Sequence, residues 1–403
     1  MTKMEANGYV EKGFEPVKDA FEHNFDKKEI GAACAIYYRG RKVVDLWGGS
    51  ADSRLHKNWE KDTLVPVFSS TKGFAALATA VAHSKGWIDY DAKISSYWAE
   101  FGMNGKQDIT IRQLLAHQAG LCAIDQLHIN KISDLDTSHI TSQLAELKPE
   151  WKPGSMHAYH TWTIGWFIGE VIRRVDPKGR TLGKFFHEEV AQPLQAEFFI
   201  GLPDDIPQSR LAAVQGMNSP FQLLFHLHEI PRPLLMGFLN SRSLTSRSMV
   251  DPNKLVAHEN FNRREMLSIE FPSGNGVGDA RSMAKIYSEF ATGGKVLNLS
   301  ETTMNEMMKP AVPPFNGWYD HVNRCEVGYS LGFWKPISGR MFGSSSHAFG
   351  HPGAGGSFCF ADPDSAVGYA YVMNKIGGYM DGNPRENEVR RTFYQCIANK
   401  LLV

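Results

Sequence analysis

Residues 65–85 read VPVFSSTKGFAALATAVAHSK. The stretch joins a short apolar run, Val65–Phe68, to an alanine-rich segment, Gly73–Lys85, that contains no proline. The composition of the second segment predicts a buried helix. The junction, Ser69-Ser70-Thr71-Lys72, places a serine and a lysine three residues apart, so both side chains share one face of a helical turn. A lysine held against apolar surface can lose its proton and accept one from a serine, which makes Ser69 a candidate nucleophile.

The Ser-x-x-Lys pattern alone is weak evidence, because a chain of this length holds roughly one or two copies by chance. A second copy does occur at Ser282-Met283-Ala284-Lys285. There Met283, Ile286 and Phe290 recur at helical spacing. We interpret this copy as part of an ordinary amphipathic helix.

A third candidate is Gly328-Tyr329-Ser330-Leu331-Gly332, which formally matches the nucleophile elbow of α/β-hydrolases. That site needs an acid and then a histidine after the serine. Only His347 and His351 follow Ser330, and no Asp or Glu separates Ser330 from either of them. We therefore interpret Gly328–Trp334 as a strand with small residues at close-packing points.

The remaining pattern predicts strands near both chain ends and helices between them. Apolar residues suggest an N-terminal helix and then a hairpin across Arg39-Gly40, and strand signals return after residue 327. We expect an α/β protein of the α+β type: an antiparallel sheet built from both chain ends, flanked by helices, with an inserted mainly helical domain. The predicted boundaries place residues 1–75 and 292–403 in the sheet domain and 76–291 in the insertion.

Composition excludes several classes of protein. The 403 residues are 42% hydrophobic, and 43 basic residues balance 43 acidic ones. That balance argues against nucleic acid and gives no support for a polyanionic partner. The longest small-apolar stretch, Phe74–Ala82, is far shorter than the ~20 residues of a membrane span.

The cysteines and the N-terminus predict a cytoplasmic protein. The five cysteines are scattered without CxxC spacing, which suggests neither a disulfide framework nor a zinc site. The first thirty residues lack the apolar core of a secretion signal and are rich in acids. We expect reduced thiols, no metal and no cofactor; the oligomeric state stays open. The cysteines are Cys34, Cys122, Cys325, Cys359 and Cys396.

Two further segments favour Ser69 over its rivals: PGSMHAYHT at 153–161 and FGHPGAGGS at 349–357. With LLAHQAGL at 114–121 and Trp47-Gly48-Gly49, they resemble motifs of the serine β-lactamase and penicillin-binding-protein superfamily. The sequence is most similar to class C β-lactamases and to family VIII carboxylesterases, and the resemblance covers nearly the whole chain. Three motifs in the family's order are far more specific than any one alone.

The resemblance implies a role for each matching residue. Ser69 would be the nucleophile, Lys72 its proton-handling partner, and Tyr159 the tyrosine that acts with the lysine in acylation and deacylation. His351-Pro352-Gly353 occupies the place of the family's Lys-Thr-Gly. The backbone N–H groups of Ser69 and Ala354 would form the oxyanion hole.

Two departures from the family pattern bear on the substrate. Thr161 stands where the family's Tyr-x-Asn motif has an asparagine, so the amide that grips a β-lactam side chain is missing. His351 replaces a lysine and is mostly neutral near pH 7 if its pKa is ordinary. Without that fixed positive charge, an uncharged acyl group is favoured. We expect a small-molecule ester or simple amide as substrate, with an ester preferred.

Other activities stay open at this point. The same scaffold could hydrolyse β-lactams or D-amino-acid peptides, or the chain could be a binding protein that kept the fold. A zinc hydrolase is the weakest option, since His226-Leu227-His228-Glu229 lacks a third ligand cluster. We interpret His117 as a structural hydrogen-bonding residue. The loop-rich segment Pro220–Arg264 is the hardest to interpret, although its apolar residues around Phe221–Phe238 suit a core or the wall of an acyl pocket.

Overall fold

The computed structural model describes residues 4–26, 29–216, 227–251, 253–379 and 382–401. The strands are β1 Asn7–Val10, β2 Gly31–Tyr38, β3 Arg41–Asp52, β4 Lys57–Asn58, β5 Val65–Pro66, β6 Phe198–Phe199, β7 Val277–Gly278, β8 Tyr319–Asp320, β9 Cys325–Glu326, β10 Gly328–Tyr329, β11 Trp334–Lys335, β12 Phe349–Pro352, β13 Phe358–Asp362 and β14 Val367–Met373. The α-helices are α1 Glu15–Asp26, α2 Ser70–Ser84, α3 Ile111–Leu115, α4 Thr137–Glu146, α5 Thr163–Val175, α6 Leu182–Phe186, α7 Arg232–Leu239, α8 Leu244–Met249, α9 Arg264–Ser268, α10 Ala280–Ala291, α11 Glu301–Met308 and α12 Pro384–Leu401.

The main sheet joins the two chain ends, as predicted. Its strands run in the order β1-β3-β2-β14-β13-β12-β11-β10, with β4 added to β3, and neighbouring strands are antiparallel. The central pair is β2 from the N-terminal part and β14 from the C-terminal part, registered from Ala32 opposite Met373 to Tyr38 opposite Val367. The predicted α+β architecture is confirmed.

Helices cover both faces of this sheet. On one face α10 lies against β14 so closely that a Cβ at Gly368 would meet the Ser288 nitrogen at 2.3 Å. The next residue, Tyr369, points to the opposite face because side chains alternate along a strand. There its hydroxyl donates to the Glu386 carbonyl of α12 at 3.3 Å. Because side chains alternate along β14, α10 lies on one face of the sheet and α12 on the other.

The segment between the two halves of the sheet is mainly helical, with α2 at its centre. Nearly every residue of α2 is buried, and the helix packs against α5, α6 and β12. The contact with β12 brings the start of α2 against the sheet, where the Ser70 hydroxyl donates to the His351 carbonyl at 3.2 Å. The domain boundaries at 75/76 and 291/292 stay a prediction; α10, which ends at Ala291, packs on the sheet.

One predicted strand is wrong in detail. Residues 328–334 form the ends of two short strands, β10 and β11, around a tight turn in which the Gly332 N–H donates to the Ser330 carbonyl at 2.8 Å. Gly332 has φ +83°, a conformation that favours glycine. The apolar pattern runs through the turn without a break, so periodicity alone did not reveal it. In the part of the chain that the structure describes, no helix has both the length and the apolar character needed to cross a membrane.

Candidate active site

Ser69 lies at the junction where the chain enters α2, with its helix beginning at Ser70. The preceding residue, Phe68, has φ +49°, an unfavourable value for a residue with a side chain. Its carbonyl accepts a 2.5 Å hydrogen bond from the Thr71 hydroxyl, which holds this turn. Strain of this kind concentrates at functional sites and here presents Ser69 at the helix start.

Lys72 lies one helical turn beyond Ser69 and is 1% exposed. Its Nζ is 3.1 Å from Ser69 Oγ and donates to the Ser273 carbonyl at 2.7 Å. Burial lowers the pKa of Lys72 well below its ordinary value. A neutral amine keeps a lone pair, and the Ser69 hydroxyl is positioned to donate its proton to it.

Tyr159 closes the other side of Ser69. Burial raises the pKa of Tyr159, while a side-chain hydrogen bond with Ser69 opposes that rise. Its ring centre lies 5.0 Å from Lys72 Nζ. Burial therefore favours the uncharged amine of Lys72 and the uncharged phenol of Tyr159.

His351 lies against Tyr159 and is neutral. Its Nδ1 is 2.7 Å from the Pro352 carbonyl, an acceptor, so Nδ1 carries the proton. Nε2 is then the acceptor that faces the Tyr159 hydroxyl at 3.5 Å. Burial lowers the pKa of His351 to about 3. The position that carries a lysine in the family pattern therefore supplies a hydrogen-bond acceptor and no positive charge.

The end of β12 packs directly on the turn before α2. A Cβ at Gly353 would meet the Val67 carbonyl and Ser357 Oγ, each at 2.2 Å, so only glycine fits there. Ser357 Oγ donates to the Val67 carbonyl at 2.9 Å. This packing brings Ala354 next to Ser69 in one cavity wall, and neither residue's N–H has an acceptor among the described residues.

The loop after β12 is fixed from behind by an ion pair. Arg385 Nη1 donates to both carboxylate oxygens of Glu29 at 2.8 Å, and its Nη2 donates to the Gly355 carbonyl at 2.5 Å. Asn383 Nδ2 donates to the same carbonyl at 3.3 Å. The loop that carries Ala354 is thus anchored to both the N-terminal and the C-terminal parts of the chain.

Ser69 opens on a cavity of about 470 Å³ whose described lining contains no Asp, Glu, Lys or Arg. The described lining holds two histidines, His258 and His351. Burial lowers the pKa of His258. The described lining residues are Phe68, Ser69, Tyr159, Thr161, Trp162, Ile230, Leu234, Phe238, Met249, Val256, His258, Phe261, Phe271, Ser273, Gly274, Asn323, Trp334, His351, Pro352, Gly353, Ala354, Gly355, Gly377, Gly378 and Tyr379.

The segment that was hardest to interpret from sequence, Pro220–Arg264, supplies much of this wall. Its described lining side chains run from Ile230 in the approach to α7 through Leu234 and Phe238 to Phe261. Phe261 packs against Phe68 beside Ser69, with ring centres 4.7 Å apart and ring planes inclined at 53°. The residues 217–226, which include Phe221 and His226, lie outside the described residues.

Thr161 lines the cavity together with Tyr159, and its role in substrate binding stays a prediction. Its Oγ1 lies 3.1 Å from Ser248 Oγ and 3.5 Å from the Tyr159 carbonyl. The hydroxyl is therefore already engaged with the protein, and its short side chain leaves space where the family has an amide.

The two competing serines lie away from this cavity. Ser330 Oγ donates to the Lys309 carbonyl at 2.6 Å, and a turn and the strand β11, not a helix, come directly after it. Ser282 sits in the first turn of α10, where its Oγ donates to the Asp279 carboxylate at 2.8 Å. Both hydroxyls stabilise local structure, in agreement with the interpretation of their sequence patterns.

The histidines outside the site have structural contacts. His117 Nδ1 accepts the His160 backbone N–H at 3.0 Å, which fixes the segment that carries Tyr159. Burial lowers the pKa of His117 well below its ordinary value. Among the described residues, no group of three or more His, Cys, Asp or Glu side chains could hold a metal ion.

Two groups near the catalytic side chains were not found by sequence reasoning. Ser273 holds Lys72 through a backbone carbonyl, and any residue type could supply that contact. Asp320 forms a parallel bridge with His157, two residues before Tyr159, although these segments are far apart in sequence. Neither contact leaves a local pattern that spacing could reveal.

Comparisons with known proteins identify the family of this chain. A model of the Beta-lactamase family matches residues 17–392. The chain is 30% identical over 380 residues to the esterase/beta-lactamase LipL of Mycobacterium tuberculosis (strain ATCC 25618 / H37Rv), a match that covers 92% of this chain and 83% of that protein.

Two solved structures are similar over almost the whole chain. A family VIII carboxylesterase superposes with a TM-score of 0.85 at 33% identity and covers 97% of this chain and 100% of its own. A penicillin-binding-protein homologue from Caulobacter crescentus also gives a TM-score of 0.85, at 31% identity, over 97% of this chain and 99% of its own.

Proposed function

The chain belongs to the β-lactamase family, and from that premise we propose that it hydrolyses esters of uncharged, apolar carboxylic acids through an acyl-enzyme at Ser69. One observation carries the proposal. Ser69, Lys72 and Tyr159 meet at one end of a cavity whose described lining has no charged side chain. An acyl group that enters it must give up its hydration, which is costly for a carboxylate and favourable for an alkyl chain.

Acylation starts with the neutral amine of Lys72. Ser69 Oγ attacks the ester carbonyl carbon, and its proton passes to Lys72 Nζ across the 3.1 Å contact. The bond to the leaving alkoxide then breaks, and Tyr159 gives its proton to that oxygen. The proton on Lys72 returns to Tyr159, so the net transfer is from Ser69 to the alcohol.

Deacylation repeats these steps with water in place of the serine. The Lys72–Tyr159 pair takes the water proton, hydroxide adds to the acyl carbon, and the Ser69 oxygen leaves with a proton from the pair. The products are a carboxylic acid and the restored enzyme. This assignment of proton roles follows from burial, which favours the uncharged form of both groups.

The tetrahedral intermediate carries a negative oxygen in both halves of the reaction. Ser69 and Ala354 line the same cavity, and their N–H groups have no acceptor among the described residues. Each donor to such an oxyanion contributes about 3 kcal/mol to the transition state. Ser357 and Gly353 hold the end of β12 against the turn before α2, which keeps Ala354 and Ser69 at their observed separation.

A matched pair of substrates tests the proposed specificity. We expect p-nitrophenyl hexanoate to be hydrolysed with kcat/KM at least about 10-fold above the mono-p-nitrophenyl ester of adipic acid, in which a carboxylate replaces the terminal methyl group of the six-carbon chain. Ser69→Ala should hydrolyse neither ester. Equal or reversed preference in the wild type would contradict the uncharged-pocket assignment.

β-Lactam hydrolysis is the second candidate, because one relative carries both activities in its name. Thr161 and the neutral His351 argue against it, since neither binds the groups that a β-lactam presents. Turnover of nitrocefin with kcat/KM above that of p-nitrophenyl hexanoate would make the lactam the better substrate. A protein that forms no acyl-enzyme with either class would be a binding protein.

The substrate is a small molecule in either case. The cytoplasmic location expected from the N-terminus and the cysteines stays a prediction.

A further inference from the structure

Helix α7, Arg232–Leu239, supplies one wall of the active-site cavity. Leu234 is 3% exposed and lines the cavity together with Phe238. Gly237 also faces the protein, because a Cβ there would meet Thr245 Oγ1 at 2.5 Å. These contacts fix the inner side of α7 and leave the opposite side to solvent.

The outer face of α7 carries Arg232, Met236 and Leu239. They stand at i, i+4 and i+7, a spacing that places them on one face of a helix. Met236 is 62% exposed and Leu239 is 74% exposed. A helix with an apolar inner side normally has a polar outer one. Here Arg232 is the only charged residue of the helix, so most of its outer face is apolar.

The outer face is continuous with the cavity wall. Successive helical residues are turned by about 100°, so Leu235 lies between Leu239 and Phe238 around α7. Leu235 is half-buried, and Phe238 is 36% exposed while it lines the cavity. Apolar side chains therefore lead around the helix from solvent to the cavity. Single exposed apolar residues are ordinary on proteins, but a contiguous apolar path into a binding cavity indicates a function.

The surroundings of the outer face are basic. No Asp or Glu occurs between Glu229 and Asp251, and Arg232 and Arg242 are both exposed. Among the described residues neither guanidinium has an ion-pair partner. Unpaired arginines beside apolar side chains suit an anionic lipid surface, which offers charged headgroups above a hydrocarbon layer. A stable protein interface needs roughly 800 Å² from each partner, more than two or three exposed side chains supply, so lipid fits this face better than a second copy of the chain.

We propose that α7 docks the enzyme on anionic lipid surfaces. Met236 and Leu239 enter the hydrocarbon layer. Arg232 and Arg242 bind the headgroups. Docking brings the helix that walls the cavity against a source of acyl esters, and the acyl chain of a substrate reaches the cavity along the apolar side of α7. The inference extends the proposed ester hydrolysis by naming lipid-borne esters as substrates, and docking itself needs no turnover.

Flotation with unilamellar vesicles tests docking in the Ser69→Ala protein, which hydrolyses no ester. Vesicles of phosphatidylcholine with about one quarter phosphatidylglycerol should bind at least about fivefold more tightly than phosphatidylcholine alone at low salt, and the difference should shrink at high salt. Met236→Ser/Leu239→Ser should weaken binding at least about 10-fold, because two apolar side chains no longer leave water. Arg232→Gln/Arg242→Gln should remove the preference for anionic vesicles.

Met103→Ser/Leu55→Ser is the matched control. It changes the same two residue types at positions outside α7 that are 49% and 74% exposed. Its vesicle binding should equal that of the parent protein.

A kinetic comparison tests delivery of the acyl chain. Met236→Ser/Leu239→Ser should hydrolyse p-nitrophenyl dodecanoate held in anionic vesicles at least about fivefold more slowly than the wild type. Its kcat/KM for soluble p-nitrophenyl butyrate should stay within about twofold, because neither side chain is in the described cavity lining. Unchanged butyrate hydrolysis also shows that the variant is folded.

The proposal is overturned if the parent protein does not bind anionic vesicles, binds neutral ones equally well, or binds no better than Met236→Ser/Leu239→Ser. A dimer in sedimentation velocity that this double substitution converts to a monomer would also overturn it, since the face would then belong to a second copy of the chain. Should the wild type hydrolyse no ester, the proposed function fails by itself, and vesicle binding still decides this inference.

Discussion

Two copies of the Ser-x-x-Lys pattern begin helices of this chain, Ser69–Lys72 at α2 and Ser282–Lys285 at α10, and their surroundings differ. Ser69 faces a cavity and contacts Lys72 at 3.1 Å. Ser282 donates to Asp279 at 2.8 Å and accepts the Glu197 N–H at 2.9 Å, so its hydroxyl is already engaged with the fold.

The lysines differ in the same way. Lys72 is fully buried and held by the Ser273 carbonyl, and burial lowers its pKa. Lys285 is only half-buried. The pattern supplies a serine and a lysine on one helix face in both cases. Chemistry is expected only where the lysine is dehydrated and the serine remains available to a substrate.

The largest expected difference is in the serines. Ser69→Ala should lower kcat/KM for p-nitrophenyl butyrate by at least about 10⁴-fold, because no other hydroxyl reaches the acyl carbon. Ser282→Ala should stay within about twofold, with a small loss of stability from the broken contact with Asp279. Steady-state kinetics on both variants checks this, and comparable losses in the two would remove the distinction between the copies.

The next largest difference in kcat is expected between variants of the two lysines. Lys72→Met fills a similar volume without a basic nitrogen, and we expect a loss of about 10²- to 10⁴-fold in kcat, the usual contribution of a general base. Lys285→Met should keep at least half of the wild-type kcat. Turnover by Lys72→Met within about fivefold of the wild type would show that another group takes the serine proton.

The proposed oxyanion hole, formed by the N–H groups of Ser69 and Ala354, also sets α2 apart, because the start of α2 packs against β12. A Cβ in Gly353→Ala would push that strand end from Val67, and we expect kcat to fall about 10²-fold as one N–H donor is displaced. Gly339→Ala is the control, since nothing lies within 4 Å of the added carbon, although its positive φ makes the change mildly destabilising. Equal effects of the two substitutions would argue against the Ser69 and Ala354 N–H groups as the oxyanion hole.

A smaller effect is expected from the cavity wall. Leu234 in α7 is buried and lines the cavity, whereas Leu239 at the end of the same helix is exposed. Leu234→Ala should change the ratio of kcat/KM for hexanoate over acetate esters about three- to tenfold, because each methylene in an apolar pocket contributes roughly 1 kcal/mol. Leu239→Ala should leave that ratio unchanged. If both variants or neither changes the ratio, the acyl chain binds elsewhere.

The smallest expected effect is on stability. Since burial lowers the pKa of Lys72, the unfolded chain binds a proton that the folded chain does not, and the free energy of unfolding rises with pH. Lys72→Met should therefore raise the free energy of unfolding by on the order of 1 kcal/mol at neutral pH. The gain should shrink as the pH approaches the ordinary lysine pKa of about 10.4. Thermal unfolding at pH 6 and pH 9 checks this; a variant less stable than the wild type at pH 6 would contradict the buried neutral amine.

Much of this fold was predictable because its signals are local. The hairpin of β2 and β3, the helix α10 and the buried helix α2 follow from apolar spacing and turn residues. The turn at Gly332 between β10 and β11 was not predictable, because apolar residues continue on both sides of it. The turn packs so closely on Ala76 of α2 that a Cβ at Gly332 would meet Ala76 Cβ at 2.7 Å.

The site was predictable where side-chain identity carries the chemistry. Ser69, Lys72, Tyr159 and Ala354 come together as the family resemblance implied, and their catalytic roles stay a proposal. The Ser273 carbonyl and the bridge at Asp320 could not be assigned, because their contacts join distant segments through backbone atoms. The neutrality of His351 also depends on its burial, which only the folded chain reveals.

The central claim is that Ser69 is the one serine activated by a buried amine. Labelling the wild-type protein with a fluorophosphonate and mapping the modified peptide by mass spectrometry tests it most directly. The account predicts a single phosphonylated peptide containing Ser69, and loss of that label in Lys72→Met but not in Lys285→Met. Modification of Ser282 or Ser330, or unchanged labelling of Ser69 in Lys72→Met, would contradict it.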